Sequence, residues 1–139
     1  MMNRNKISFK LKNRLSELNR LCRNLNEFGK LLELSPKDMF KINIAADEHF
    51  TNIISHGYRD NAEHWIEITL SFEDEKFMIC IEDDGVPFNP CEAEEPELEC
   101  CLEERQVGGL GVLLTKQFMD EIVYQRCGNK NVLIMKKHL

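Results

Sequence analysis

Between Ile66 and Ile81 the chain alternates. Ile66, Ile68, Leu70 and Phe72 stand at every second position with Glu67, Thr69 and Ser71 between them, and a second apolar run, Phe77 to Ile81, follows Glu73-Asp74-Glu75-Lys76. A period of two sends successive side chains to opposite faces, so both runs are strands with a buried side, and the polar tetrapeptide closes them into an antiparallel hairpin. A lone hairpin with an apolar face is unstable in water and has to be covered.

The flanking sequence supplies that cover at a different period. Leu11, Leu15, Leu18, Cys22, Leu25, Phe28 and Leu32 recur at threes and fours, which predicts a first amphipathic helix, and Ile7 to Lys10 leaves room for a short strand. Ser35-Pro36 starts a second helix, since the serine hydroxyl can cap free amides and proline suits the first helical position. Met39, Ile42, Ala46, Phe50 and Ile53 form its core side, and Gly57 with the polar residues that follow ends it. A third, short helix is expected over Gly111 to Met119. Ile122 to Gln125 then pairs with Val132 to Lys136 through Gly128-Asn129. Together these elements imply an α/β fold, a two-layer sandwich of a mixed, largely antiparallel sheet with about three helices, as a single domain over residues 1–139.

With 139 residues, 42% hydrophobic and 30% charged, the chain has material for one core and none for a second domain. Its longest apolar runs, such as Val132-Leu133-Ile134-Met135, fall far short of the roughly 20 residues that cross a bilayer. Met1 to Lys12 lacks the apolar centre of a signal peptide, so no membrane contact and a cytoplasmic location are expected. Six cysteines show no CxxC pair, which argues against disulfides and structural zinc; Cys22 and Cys80 are expected to pack as small hydrophobes, and Cys100-Cys101 to be ordinary thiols. A net charge of -6 argues against a direct nucleic-acid partner. The charge is uneven: Met1 to Lys41 carries ten basic and four acidic side chains, whereas Glu82 to Glu104 carries ten acidic and no basic ones.

Three segments bear chemistry. Glu48, Asn52 and His56 are spaced by four on the second helix; each step of about 400° drifts them by only about 40°, so they share one stripe. The same spacing also describes the wet side of any amphipathic helix. After the second hairpin strand comes Glu82-Asp83-Asp84-Gly85-Val86-Pro87-Phe88-Asn89-Pro90. A carboxylate there can accept a hydrogen bond from an exocyclic amine, the distinguishing group of adenine, and Gly85 lets backbone approach a ring, although an Asp-Gly turn closing a strand has the same sequence. Gly108-Gly109-Leu110-Gly111 opens the third helix, whose free amides and dipole favour an anion. No Lys-Ser or Lys-Thr follows, so it is not a P-loop.

In this order the three segments resemble the N box and the two glycine boxes of the ATP-binding domain shared by gyrase, heat-shock chaperones, histidine kinases and mismatch-repair ATPases, called GHKL. The chain is most similar to the bacterial anti-sigma factor serine/threonine kinases, on His56-Gly57-Tyr58, Gly85-Val86-Pro87-Phe88-Asn89-Pro90, Gly109-Leu110-Gly111 leading to Phe118-Met119-Asp120, and Asn131. The resemblance implies ATP and Mg²⁺ as cofactors. Glu48 would be the general base toward a protein hydroxyl, Asn52 the Mg²⁺ ligand and Asp83 the reader of the adenine amine. Gly85, Gly109 and Gly111 would admit nucleotide to the backbone, and the acidic segment would be an ATP lid in which Arg105, the only basic residue between Glu82 and Lys116, pairs with phosphate. Relatives often place that arginine nearer the second glycine box. The implied partners are a STAS-type anti-anti-sigma protein and a sigma factor, with the basic first helix able to contribute to a homodimer. His56 is expected to support the helix end, and His49 and His64 have no evident partner. A nucleotide-binding regulatory module that controls a partner without phosphotransfer is the alternative. A sensor histidine kinase is disfavoured, because the 35 residues before Pro36 lack room for its dimerisation hairpin.

Overall fold

The computed structural model describes residues 5–90 and 109–139. Five strands, β1 (Lys6–Lys12), β2 (Trp65–Glu73), β3 (Lys76–Asp83), β4 (Glu121–Cys127) and β5 (Lys130–His138), form one sheet in the order β1-β2-β3-β5-β4, and every pairing is antiparallel. The parallel component expected of a mixed sheet is missing among these strands for a topological reason. The crossover from β3 runs through a helix to β4, which is parallel to it, but β5 lies between the two.

The hairpin joining β2 and β3 turns on Asp74 and Glu75, both left-handed at φ 53° and 62°, a twist that matches the flanking strands. Gly128, at φ 61°, takes the corresponding bend between β4 and β5. Ile68 pairs with Ile81 and Leu70 with Ile79, while Ile79 and Ile81 face Met135 and Leu133 of β5. These side chains are buried against helices α1 (Leu18–Leu31) and α2 (Pro36–His56), whose core faces carry Leu21, Leu25, Phe28, Ile42, Ala45, Ala46 and Phe50. The third helix, α3 (Gly109–Phe118), meets α2, with the Phe118 ring 6.3 Å from that of Phe40.

The first helix is shorter than the leucine spacing predicts. Leu11 is fully buried but belongs to β1, opposite Ile66, and Leu15 lies in a 3-10 turn, Leu15–Glu17, with 56% of its surface exposed. The strand ends where the Lys12 amide donates to Glu17 Oε2 at 3.0 Å and the chain folds back at Arg14. Cys22 is exposed rather than packed, because the buried stripe of α1 runs through Leu21, Leu25 and Phe28. Cys80 is half-buried. At the start of α2, Ser35 Oγ accepts the Asp38 amide at 3.1 Å and Pro36 occupies the first turn, as expected.

Candidate nucleotide site

The alternation of β3 sends Phe77, Ile79, Ile81 and then Asp83 to the helix-covered side, so a buried apolar row ends in a carboxylate. Asn131 on β5 stands opposite Asp83. Across from them, the core face of α2 continues from Ala45 and Ala46 through His49 to Asn52 and Ile53. The three elements line a narrow, solvent-open cleft with an internal volume of about 20 Å³. Ile53, Leu133, Phe88 and Pro90 give it apolar walls, and His49, Asn52, Asp83, Asn131 and Tyr124 give it polar groups. Apolar walls with a few convergent polar groups are the usual lining of a small-molecule site.

Asp83 is only 5% exposed. Its Oδ1 accepts the Gly85 amide at 2.9 Å and Asn131 Nδ2 at 3.0 Å. Both donors act on one oxygen, so the other keeps acceptor capacity for an exocyclic amine. Burial pushes the carboxyl above its usual range; the two hydrogen bonds pull the other way, the neighbouring Asp84 adds to the rise, and Arg126 opposes it. Asn131 is fixed in turn: Tyr124 Oη donates to its Oδ1, and its Nδ2 also donates to the Val86 carbonyl at 2.9 Å. Arg126 Nη1 donates to the Gly85 carbonyl at 2.8 Å.

Gly85 is required by a close approach inside the protein. A Cβ there would lie 2.3 Å from the Gly57 carbonyl oxygen, the same oxygen that accepts the Val86 amide at 2.7 Å. This contact locks the end of β3 to the end of α2 and brings Asp83 within one cleft of Asn52.

Glu48 is half-buried one turn before Asn52, which donates to its Oε1 through Nδ2 at 3.2 Å. Burial pushes the Glu48 carboxyl up from the usual range; the Asn52 bond offsets part of this and Asp47 adds to it. His56 is exposed at the end of α2, its ring 6.3 Å from that of Phe88.

Of His49 and His64, only His64 departs from the expected lack of a partner. His64 has partners on both nitrogens: Nε2 lies 2.8 Å from Asp60 Oδ1 and Nδ1 3.1 Å from Asp84 Oδ1, with its ring stacked 4.4 Å from that of Tyr58. The hydrogen bond to Asp60 raises its pKa first, Asp84 adding to it against desolvation, and Asp60 is lowered in return. His49 is 2% exposed, and burial holds its imidazole down to about 4. Its Nε2 has no hydrogen-bond partner among the described residues, a condition that costs about 1–3 kcal/mol unless something else fills it.

The fold thus brings Asn52 to one cleft with Asp83, with Glu48 hydrogen-bonded to Asn52 and Gly85 to Asp83. Gly109 and Gly111 stand in the first turn of α3, which packs beside α2. Arg105, Cys91, Cys100, Cys101 and most of the acidic segment lie outside the described residues. Sequence reasoning missed the Tyr124 and His49 contributions: Tyr124 lies in no recognisable motif, and His49 stands inside the Glu48 to His56 segment but on the buried side of the helix, off the four-residue stripe. Asn52 suits Mg²⁺: its Nδ2 is turned to Glu48, its amide oxygen is a hard ligand, and this ion keeps water and phosphate oxygens in its other positions. No group of three or more His, Cys, Asp or Glu side chains among the described residues could cage a metal alone, which this ion does not need.

Residues 11–137 match the histidine kinase-like ATPase domain family. The chain belongs to that family. Among similar proteins, the serine/threonine-protein kinase BtrW of Bordetella bronchiseptica is 32% identical over 99 residues, 71% of this chain and 70% of that one. An anti-sigma F factor of Geobacillus kaustophilus is 26% identical over 113 residues, 81% and 77% of the respective chains. The RsbU and RsbW domains of Rv1364c from Mycobacterium tuberculosis share the fold, with a TM-score of 0.70 at 13% identity, over 96% of this histidine kinase-like ATPase chain and 32% of that longer one. Membership implies ATP as a ligand, and no helix among the described residues is long and apolar enough to cross a membrane.

Proposed function

We propose that this protein is an ATP-dependent serine/threonine kinase and anti-sigma factor. Residues 1–139 would work as one cytoplasmic ATP-binding domain that phosphorylates an anti-anti-sigma partner of STAS type and sequesters a sigma factor. The names of BtrW and the anti-sigma F factors support the reading. The observation that carries it is the Glu48–Asn52 pair at 3.2 Å, with Asn52 lining the cleft that Asp83 also lines.

Asp83 binds the adenine amine and anchors the base, with the glycines at the start of α3 and Arg105 serving the phosphate end. Asn52, with Glu48 beside it, is the residue to hold Mg²⁺, which when bound neutralises phosphate charge. A partner serine or threonine oxygen attacks the γ-phosphorus, ADP leaves, and the hydroxyl proton passes to the Glu48 carboxylate. The raised pKa of Glu48 makes it a better proton acceptor than a solvated glutamate while leaving it ionised above that pKa. A second copy of the chain is a further expected partner, measurable by sedimentation.

Incubation with labelled ATP, Mg²⁺ and candidate anti-anti-sigma proteins tests the proposal. Label should appear on a partner serine or threonine and fall by about 10²–10⁴-fold in Glu48→Gln, with ADP affinity nearly unchanged. Asn52→Ala should lose both label and Mg²⁺-dependent nucleotide affinity. Nucleotide binding without label on any cognate partner would leave a regulatory module in place of a kinase.

A further inference from the structure

Of the polar side chains lining the cleft, Asn52, Asp83, Asn131 and Tyr124 all have protein partners. His49 does not: its buried Nε2 meets no donor or acceptor among the described residues. The position lies on the core stripe of α2 between Ala46 and Phe50, both fully buried, where an apolar side chain would fill the same space without an open polar atom. The imidazole also sits in the wall that faces Asp83. An unfilled hydrogen-bonding atom in the wall of the cleft proposed to take adenine points to the base as its partner.

We propose that His49 is a second base-reading residue, whose Nε2–H hydrogen-bonds a ring nitrogen flanking the exocyclic amine that Asp83 takes. The inference rests on the nucleotide reading of the cleft and deepens it. Adenine offers an acceptor nitrogen on each side of the amine-bearing carbon, N1 on one edge and N7 beyond the other. Burial keeps His49 neutral at working pH, so one nitrogen carries a proton and can donate. Guanine presents a carbonyl where adenine has the amine, and its N1 carries a hydrogen. A carboxylate and an imidazole donor set against the adenine pattern therefore exclude guanine at two points through N1, and at one through N7.

Displacement of a fluorescent ADP analogue by ADP, 1-deaza-ADP, 7-deaza-ADP and the diphosphate lacking the 6-amine tests this in the wild-type protein and in His49→Phe, which keeps an apolar ring. Wild type should bind one deaza analogue about tenfold more weakly than ADP. His49→Phe should lose that discrimination while keeping the preference for the 6-amine, which belongs to Asp83. Equal deaza-to-ADP ratios in the two proteins overturn the proposal. Should the variant fail to fold by circular dichroism, nitrogen NMR of histidine-labelled wild type decides: the His49 Nε2 resonance should shift and its proton become protected at ADP saturation, and an unchanged resonance overturns the assignment. Wild type that binds no adenine nucleotide refutes the nucleotide reading itself, whereas ADP binding with unchanged deaza ratios removes only His49.

Discussion

Asp83 carries a charge where the apolar row of β3 would otherwise run on, and burial lifts its pKa above 3.8. A carboxyl whose folded pKa is raised holds its proton more tightly in the native state. The protein is thus favoured below the unfolded pKa, and that advantage is lost as pH rises through the folded value. Asp83→Asn keeps an oxygen to accept from Gly85 and Asn131 and removes the charge. At neutral pH the variant should melt no lower than wild type, and its relative advantage should shrink as pH falls through the raised pKa. It should nevertheless bind ADP about 10–100-fold more weakly, because a carboxamide can turn only one acceptor to the amine or face it with a donor. Calorimetric melting across pH, set beside ADP titration, checks both halves; parallel loss of stability and affinity at neutral pH would mean that Asp83 is structural. Asn131 and Tyr124 belong to the same chain of hydrogen bonds, but no local pattern reveals it, since Asn131 meets Asp83 only through the pairing of β3 with β5.

Between elements, the Gly57–Val86 contact and the Asp60–His64–Asp84 bridge tie the segment after α2 to the end of β3. Gly85→Ala puts a methyl into the Gly57 carbonyl, and overpacking of this kind costs about 1–3 kcal/mol. The variant should melt lower and its Val86 amide should exchange faster; unchanged protection at Val86 would show that the contact is dispensable. The His64 bridge has its own pH signature. A raised histidine pKa gives stability that is fully present below the unfolded value of 6.5 and is lost as pH rises through the folded one. Asp60, lowered from 3.8, sets the acid limit, its share disappearing as pH falls through the folded value. His64→Gln should therefore melt below wild type at pH below 6.5, with the gap closing as pH rises through the raised pKa; a pH-independent gap would make His64 a packing residue only. These ties explain where the sequence was legible. The β2–β3 hairpin, the Ser35-Pro36 start of α2 and the spacing of Glu48 and Asn52 are local and followed from period and capping. Leu11 fell in phase with the leucines of α1 by coincidence, since a strand residue seven positions before Leu18 matches a helical interval. The partners of His64 come from positions 60 and 84, and the second is brought there only by the folded sheet.

At the scale of the whole molecule, the cleft takes Asn52 from α2, with Glu48 bonded to it, Asp83 from β3 and Asn131 from β5, segments that meet only when the sheet is closed over its helices. The unfolded chain has no such arrangement, so nucleotide bound to the native state must raise its stability in proportion to occupancy. At a ligand concentration about 100 times Kd the gain is about 2.7 kcal/mol. For a chain of this size that corresponds to a rise in Tm of about 5–10 °C. Because the rise reports binding alone, it separates residues that hold nucleotide from those that act on it. ADP with Mg²⁺ should raise the Tm of wild type and of Glu48→Gln equally, since the base is idle until a phosphoryl group moves. In Asp83→Asn at the same ADP concentration most of the rise should vanish, and in Asn52→Ala the part that depends on Mg²⁺ should go while the magnesium-free part stays. Differential scanning calorimetry over a series of ADP concentrations reads all three. An undiminished shift in Asp83→Asn would place the adenine elsewhere, and a shift lost in Glu48→Gln would make Glu48 a binding residue and leave the proposed phosphotransfer without its base.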